Sequence, residues 1–182
     1  MAKVRNNIVM KGLSGSLGDQ LVLKHDKFGR TIVAVKPTYS ENHVFSDAQK
    51  AQQERFRMAI QYGRSAKALP VYTEHSAGAR QTAYTLAVSD WLHAPEVVSV
   101  DASAWSGQAG ETIRVQAMDD TKVAGVSVSI QNGSGAELEH GDAVEGTDGW
   151  WTYTTQMAGA GTKIVARAVD LPGHAAELVW ED

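Results

Sequence analysis

Val123-Ala-Gly-Val-Ser-Val-Ser-Ile-Gln131 places Val126, Val128 and Ile130 on one side and serines on the other, the period of two that a strand with one buried face requires. The same alternation precedes it at Ile113/Val115/Ala117. It returns at Trp151/Tyr153, Ile164/Ala166/Ala168 and Ala176/Leu178/Trp180. Strands are expected over 97–103, 111–118, 123–131, 136–140, 149–156, 162–169 and 174–180, and so many short strands with turns at this spacing predict a β-sandwich.

Upstream the pattern differs. His93-Ala-Pro95 stops helical structure, since proline disfavours a helical conformation at the preceding residue, and a domain boundary is expected there, giving domains 1–95 and 96–182. Gln20-Leu-Val-Leu-Lys-His25 and Arg30-Thr-Ile-Val-Ala-Val-Lys36 read as a β-hairpin whose turn, Asp26-Lys-Phe-Gly29, puts Gly29 at positive φ. Gly12-Leu-Ser-Gly-Ser-Leu-Gly18 before it reads as a turn. It lacks the lysine and hydroxyl ending of a phosphate loop. Ser46-Asp-Ala-Gln49 matches a capping box, so a helix of about five turns is expected from Asp47, with Ala48, Phe56, Ala59, Ile60 and Gly63 near one face. Leu69-Pro70 is expected to interrupt it, and a second helix to run from about Ala77 to Leu92, its small residues packing closely on the first. The expected class is therefore an α+β N-terminal region followed by an all-β sandwich.

The net charge of −4 conceals an asymmetry. Residues 1–95 hold 13 Lys/Arg against 7 Asp/Glu, and residues 96–182 hold 4 against 14. Two such halves are electrostatic complements, able to orient one copy head to tail on another. The absence of cysteine excludes disulfides, thiolate nucleophiles and thiolate metal sites. Met1-Ala-Lys-Val-Arg-Asn-Asn-Ile8 has no apolar run suited to a secretory leader, so synthesis in the cytosol is expected, and no run of apolar residues has membrane-spanning length.

In the C-terminal half, Val123–Ile130, Gly135-Ala-Glu-Leu-Glu-His-Gly-Asp-Ala143, Trp150-Trp-Thr-Tyr153 and Ile164-Val-Ala-Arg-Ala-Val-Asp-Leu-Pro-Gly173 together resemble the bacterial immunoglobulin-like modules of surface and fibre proteins. The resemblance implies an immunoglobulin-like sandwich serving as spacer, adhesin or assembly domain. In the N-terminal half, Ser14–Gly18, Gly29-Arg-Thr-Ile-Val33 and Gln53-Glu-Arg-Phe56 are similar to small uncharacterised proteins of Bacteroidota and their mobile elements. That likeness implies association with assembled or phage-like structures and brings no catalytic residue.

No chemical constellation stands out. The six histidines have no i, i+4 pair, no serine sits in a nucleophile elbow, and Glu137 and Glu139 read as solvated strand charges. No enzyme activity and no cofactor are expected. Asp119, Asp120 and Asp170 fall in loops that an immunoglobulin-like topology brings to one end, which makes them calcium candidates, but without an EF-type spacing they read first as ordinary turn aspartates and no metal is expected. Of Trp150 and Trp151 one indole should face inward and the other outward, which leaves a carbohydrate or protein ligand as an alternative role. Lys3, Arg5, Lys11, Lys24, Lys27, Arg30 and Lys36 cluster around the hairpin without a nucleic-acid-binding motif, so no specific nucleic-acid partner is expected.

An isolated hairpin is marginal in water and its edges invite strand addition. The extended segments 1–11 and 37–45 are candidate donors to another copy. The expected role is thus a non-enzymatic homo-oligomer, assembling by heterologous contacts into a fibre, tube or ring. Its interface is expected at Ile8, Val9, Leu21, Leu23, Arg30, Ile32, Val33 and Val35.

Overall fold

A computed structural model of the chain describes residues 2–3, 12–18, 20–25, 30–36, 38, 44–77, 81–159 and 161–181. The chain parts into two compact units, Met1–Ser46 and Asp47–Asp182. The helices thus group with the sandwich, whereas a boundary at Pro95 groups them with the hairpin.

In the first unit, β1 (Ala2–Lys3), β2 (Gly15–Leu17), β3 (Leu21–His25) and β4 (Thr31–Val35) make an antiparallel sheet in the order β1-β4-β3-β2. The β3–β4 hairpin is in register with Leu21 opposite Val35 and Leu23 opposite Val33; its turn, with Lys27, Phe28 and Gly29, lies outside the described residues. The edges expected to be open are occupied within the chain, by β2 against β3 and by β1 against β4. The glycine-rich stretch read as a turn in fact contributes β2, with Gly18 at φ +59° turning the chain into β3, a conformation glycine adopts without a Cβ penalty.

In the second unit, α1 (Asp47–Ala66) starts where the Ser46 signal puts it, and α2 (Pro70–Ser76) and α3 (Ala83–Leu92) follow. Pro70 starts a helix here instead of only ending one: at the first helical position its missing N–H costs nothing and its fixed φ suits the turn. The helix expected from Ala77 begins at Ala83, because Thr82 caps it reciprocally with Thr85, each side chain bonding the other's backbone N–H at 3.2 and 2.9 Å. Close packing of α1 on α3 is visible at Gly63, where a Cβ would stand 2.5 Å from Val88 Cγ2. The Arg55 guanidinium donates to the Leu92 carbonyl at the end of α3, where a helix dipole favours a cation. Among the described residues, no helix is long and apolar enough to cross a membrane.

Eight strands follow: β5 (Glu96–Asp101), β6 (Thr112–Met118), β7 (Val123–Gln131), β8 (Glu137–Asp142), β9 (Val144–Glu145), β10 (Trp150–Thr154), β11 (Lys163–Asp170) and β12 (Ala175–Glu181). They form two antiparallel four-stranded sheets, β5-β6-β10-β9 and β12-β11-β7-β8. Ile113, Val115 and Ala117 on the first sheet meet Val126, Val128, Ile130, Ile164, Ala166 and Ala168 on the second in one core, closed by Trp151 and Tyr153. The class is α+β with sandwich-like β content. The seven expected strands are all present, joined by the two-residue β9.

Candidate functional site

Cross-strand partners share a face of a sheet, so the register of the N-terminal sheet sorts the expected interface. Leu17, Leu21, Leu23, Val33 and Val35 project to one side, and Val22, Ile32 and Ala34 to the other. Leu23 is buried, while Leu17 and Val35 are 59% and 77% exposed. Arg30 lies just before β4, and Ile8 and Val9 lie outside the described residues.

The three calcium candidates do not form a ligand set. Asp119 Oδ2 accepts the Thr121 and Lys122 N–H groups, each at 3.0 Å. Exposed Asp120 pairs with His93 Nδ1 at 2.7 Å. Buried Asp170 accepts from the Gly173 and His174 N–H groups at 2.7 and 2.6 Å and from the His174 ring at 3.0 Å. Asp119 and Asp170 each bond their own turn while Asp120 pairs with His93, and no group of three metal-ligating side chains occurs among the described residues. The two strand glutamates also depart from expectation: a bulge opposite Ile130/Gln131 breaks their side-by-side placement. Glu139 instead accepts from Tyr153 Oη, Gln156 N and Met157 N at 2.6, 2.6 and 3.2 Å. Burial opposes its charge, but these three bonds together outweigh that effect and hold its carboxyl below the ordinary range.

Trp151 is buried and Trp150 half-buried under the Arg114 guanidinium, 4.4 Å from the ring centroid, so the outward indole is already stacked by a cation. A more open aromatic site lies elsewhere. Trp105 and Trp180, edge to face at 6.4 Å, line a groove of about 510 Å³ with Asp101, Ser103, Ser106 and Gly161. Asp101 Oδ1 holds the wall in place by accepting from the Ser103 backbone and hydroxyl at 3.1 and 2.6 Å.

A second polar cluster, unforeseen, joins the helices to the sandwich. Tyr72 and Asp90 are fully buried. Tyr62 and Tyr72 hydroxyls are 2.8 Å apart, and Tyr72 donates to Asp90 Oδ2. Asp90 also meets Thr121 and the Asp119 carboxyl from the β6–β7 turn. Burial, reinforced by the charge of Asp119, pushes the Asp90 pKa up against the opposing bonds from Tyr72 and Thr121; burial and the bonds to Asp90 and Tyr62 push Tyr72 up as well. Around it Ala66, Tyr72 and Ala87 pack with Leu86 and with Leu171 of the β11–β12 turn. A signal for Asp90 existed in the sequence. It sits three residues after Ala87 and seven after Ala83, on the stripe that faces inward.

No protein-family model matches the chain, and no curated protein matches it. Among solved structures, CopC from Methylosinus trichosporium OB3b is similar at 22% identity and a TM-score of 0.34, over 49% of this chain and 90% of that one. An engineered protein is similar at 22% identity and a TM-score of 0.35, over 46% of this chain; the chain spans 18% of that protein's length.

Proposed function

We propose that the chain is a non-enzymatic structural subunit that self-assembles, through its N-terminal sheet, into a fibre, tube or ring. The carrying observation is the apolar face Leu17, Leu21, Leu23, Val33 and Val35, whose outer members remain largely open to solvent. A sheet of this size needs a covered face for stability. The edges of the same sheet carry β1 and β2 from its own chain, so the open face is the surface it offers to another copy. Charge favours a head-to-tail contact: residues 1–46 carry 7 Lys/Arg against 3 Asp/Glu, and residues 47–182 carry 10 against 18. The C-terminal strands support an immunoglobulin-like reading, because the two sheet orders match the A-B-E-D and G-F-C arrangement with one added strand beside C.

Electron microscopy with light scattering at low and high salt tests the proposal. Ordered polymers that shorten or dissociate as salt screens the charges are expected. A uniform particle of one chain's mass under both conditions would refute it.

The Trp105/Trp180 groove favours a second reading, a monomeric module that binds carbohydrate, since stacked indoles with polar neighbours suit a sugar face. Screening oligosaccharides by tryptophan fluorescence, with Trp105→Ala as control, separates this reading from the first.

A further inference from the structure

Asp90 Oδ1 and Asp119 Oδ1 are both buried without a hydrogen-bond partner, and the Thr121 side chain reaches Asp90 beside them. The two carboxyl groups nevertheless meet. Two carboxylate oxygens cannot bond without a hydrogen between them, and two buried negative charges in contact repel strongly. The remaining oxygens are already engaged. Tyr72 donates to Asp90 Oδ2, and the Thr121 and Lys122 amides donate to Asp119 Oδ2. Among the described residues, the ionisable groups around the pair include Tyr62 from α1, Tyr72 from α2, Asp170 with its bonded His174 from the β11–β12 turn, and, on the Asp119 side, Lys122, Glu145 and Asp148. The His93–Asp120 contact flanks the same turn at the surface.

We propose that Asp90 retains a proton that it donates to Asp119, and that this shared proton is a pH-sensitive bolt fastening the three helices to the β6–β7 end of the sandwich. The geometry explains why the bolt is decisive. Asp90 lies at the inward face of α3 and Asp119 opens the β6–β7 turn, so the bond bridges the two layers directly. Losing the proton would set the charge of fully buried Asp90 against that of half-buried Asp119.

The sign follows from burial, which raises Asp90 in the folded chain. The folded state then binds a proton that the unfolded state has already released. The contribution is complete below the unfolded aspartate value of about 3.9 and is lost as pH rises through the raised folded value.

The test is thermal unfolding of the whole chain from acid to alkaline pH, in chelator and with added calcium, for the native sequence and for Asp90→Asn and Asp119→Asn. In Asp90→Asn the amide supplies the donor permanently. Its melting temperature, relative to the native chain, is expected to rise with pH by about 3 °C per unit across the window of proton release. A protonated-carboxyl infrared band should persist in the native chain above the unfolded aspartate value of about 3.9 and be absent from Asp90→Asn. Should Asp90→Asn fail to fold, Asp119→Asn and the infrared band decide. A melting difference independent of pH, with no such band, overturns the proposal. So does calcium that raises the native melting temperature at neutral pH and leaves Asp90→Asn unmoved, since a cation would then hold the pair.

Discussion

At the scale of single residues, carboxylates in this protein serve as local fasteners. Asp170 is the clearest: fully buried, it satisfies two backbone N–H groups and the His174 ring. Asp170→Ala leaves those donors without a partner in a dry site, and a loss of about 2–4 kcal/mol is expected in urea unfolding. Glu139 makes the complementary case for pH. Its carboxyl lies below the ordinary value of 4.5 because Tyr153 and two backbone amides bond the charged form, so its contribution is present above that value and fades as pH falls through the folded one. Glu139→Gln should therefore melt lower than the native chain at neutral pH. The gap should close in acid, as followed by circular dichroism.

At the scale of elements, the decisive contact is α1 on α3. Gly63 is a poor helix residue, and alanine gains about 1 kcal/mol in an open helix. Here the added Cβ meets Val88 at 2.5 Å and the Tyr84 ring and carbonyl at 3.2 and 3.3 Å, and neither a branched side chain nor backbone yields easily. Overpacking wins, and Gly63→Ala is expected to destabilise the second unit by about 1–2 kcal/mol net in a denaturant titration. The strands were legible because a one-sided sheet leaves a period of two in its sequence, as in Val126/Val128/Ile130. The helical layer was only half legible. Pro70 signals a stop and a start with the same residue, and Thr82–Thr85 is a capping box built from two threonines, without the usual Glu or Gln partner. The hairpin was legible from composition, but not the strand Gly15–Leu17, since glycine and serine carry the marks of a turn even where their backbone pairs. The aspartates stayed open between turn formers and calcium candidates for a related reason: sequence places them in loops, and only geometry tells that Asp119 and Asp170 bond their own turns while Asp120 pairs with His93. Asp90 was hidden by its company, an acid among alanines on an inward stripe.

At the scale of the molecule, the two units differ in how they are held. The second has a continuous core between its sheets, whereas in the first only Leu23 and Thr31 are buried among the described residues. If the open apolar face is an assembly surface, Leu17→Lys with Val35→Lys should convert polymer to single chains in light scattering while leaving the melting of the second unit unchanged. Removal of residues 1–11, which takes away β1, should open the β4 edge, and adding the excised peptide should restore pairing there.

All five tryptophans, Trp91, Trp105, Trp150, Trp151 and Trp180, fall in the Asp47–Asp182 unit. Intrinsic indole emission therefore watches the sandwich and its helices directly and has no reporter inside the N-terminal sheet. A tryptophan placed at Leu17 would supply one, and the two units could then be followed as separate optical signals in a single unfolding experiment.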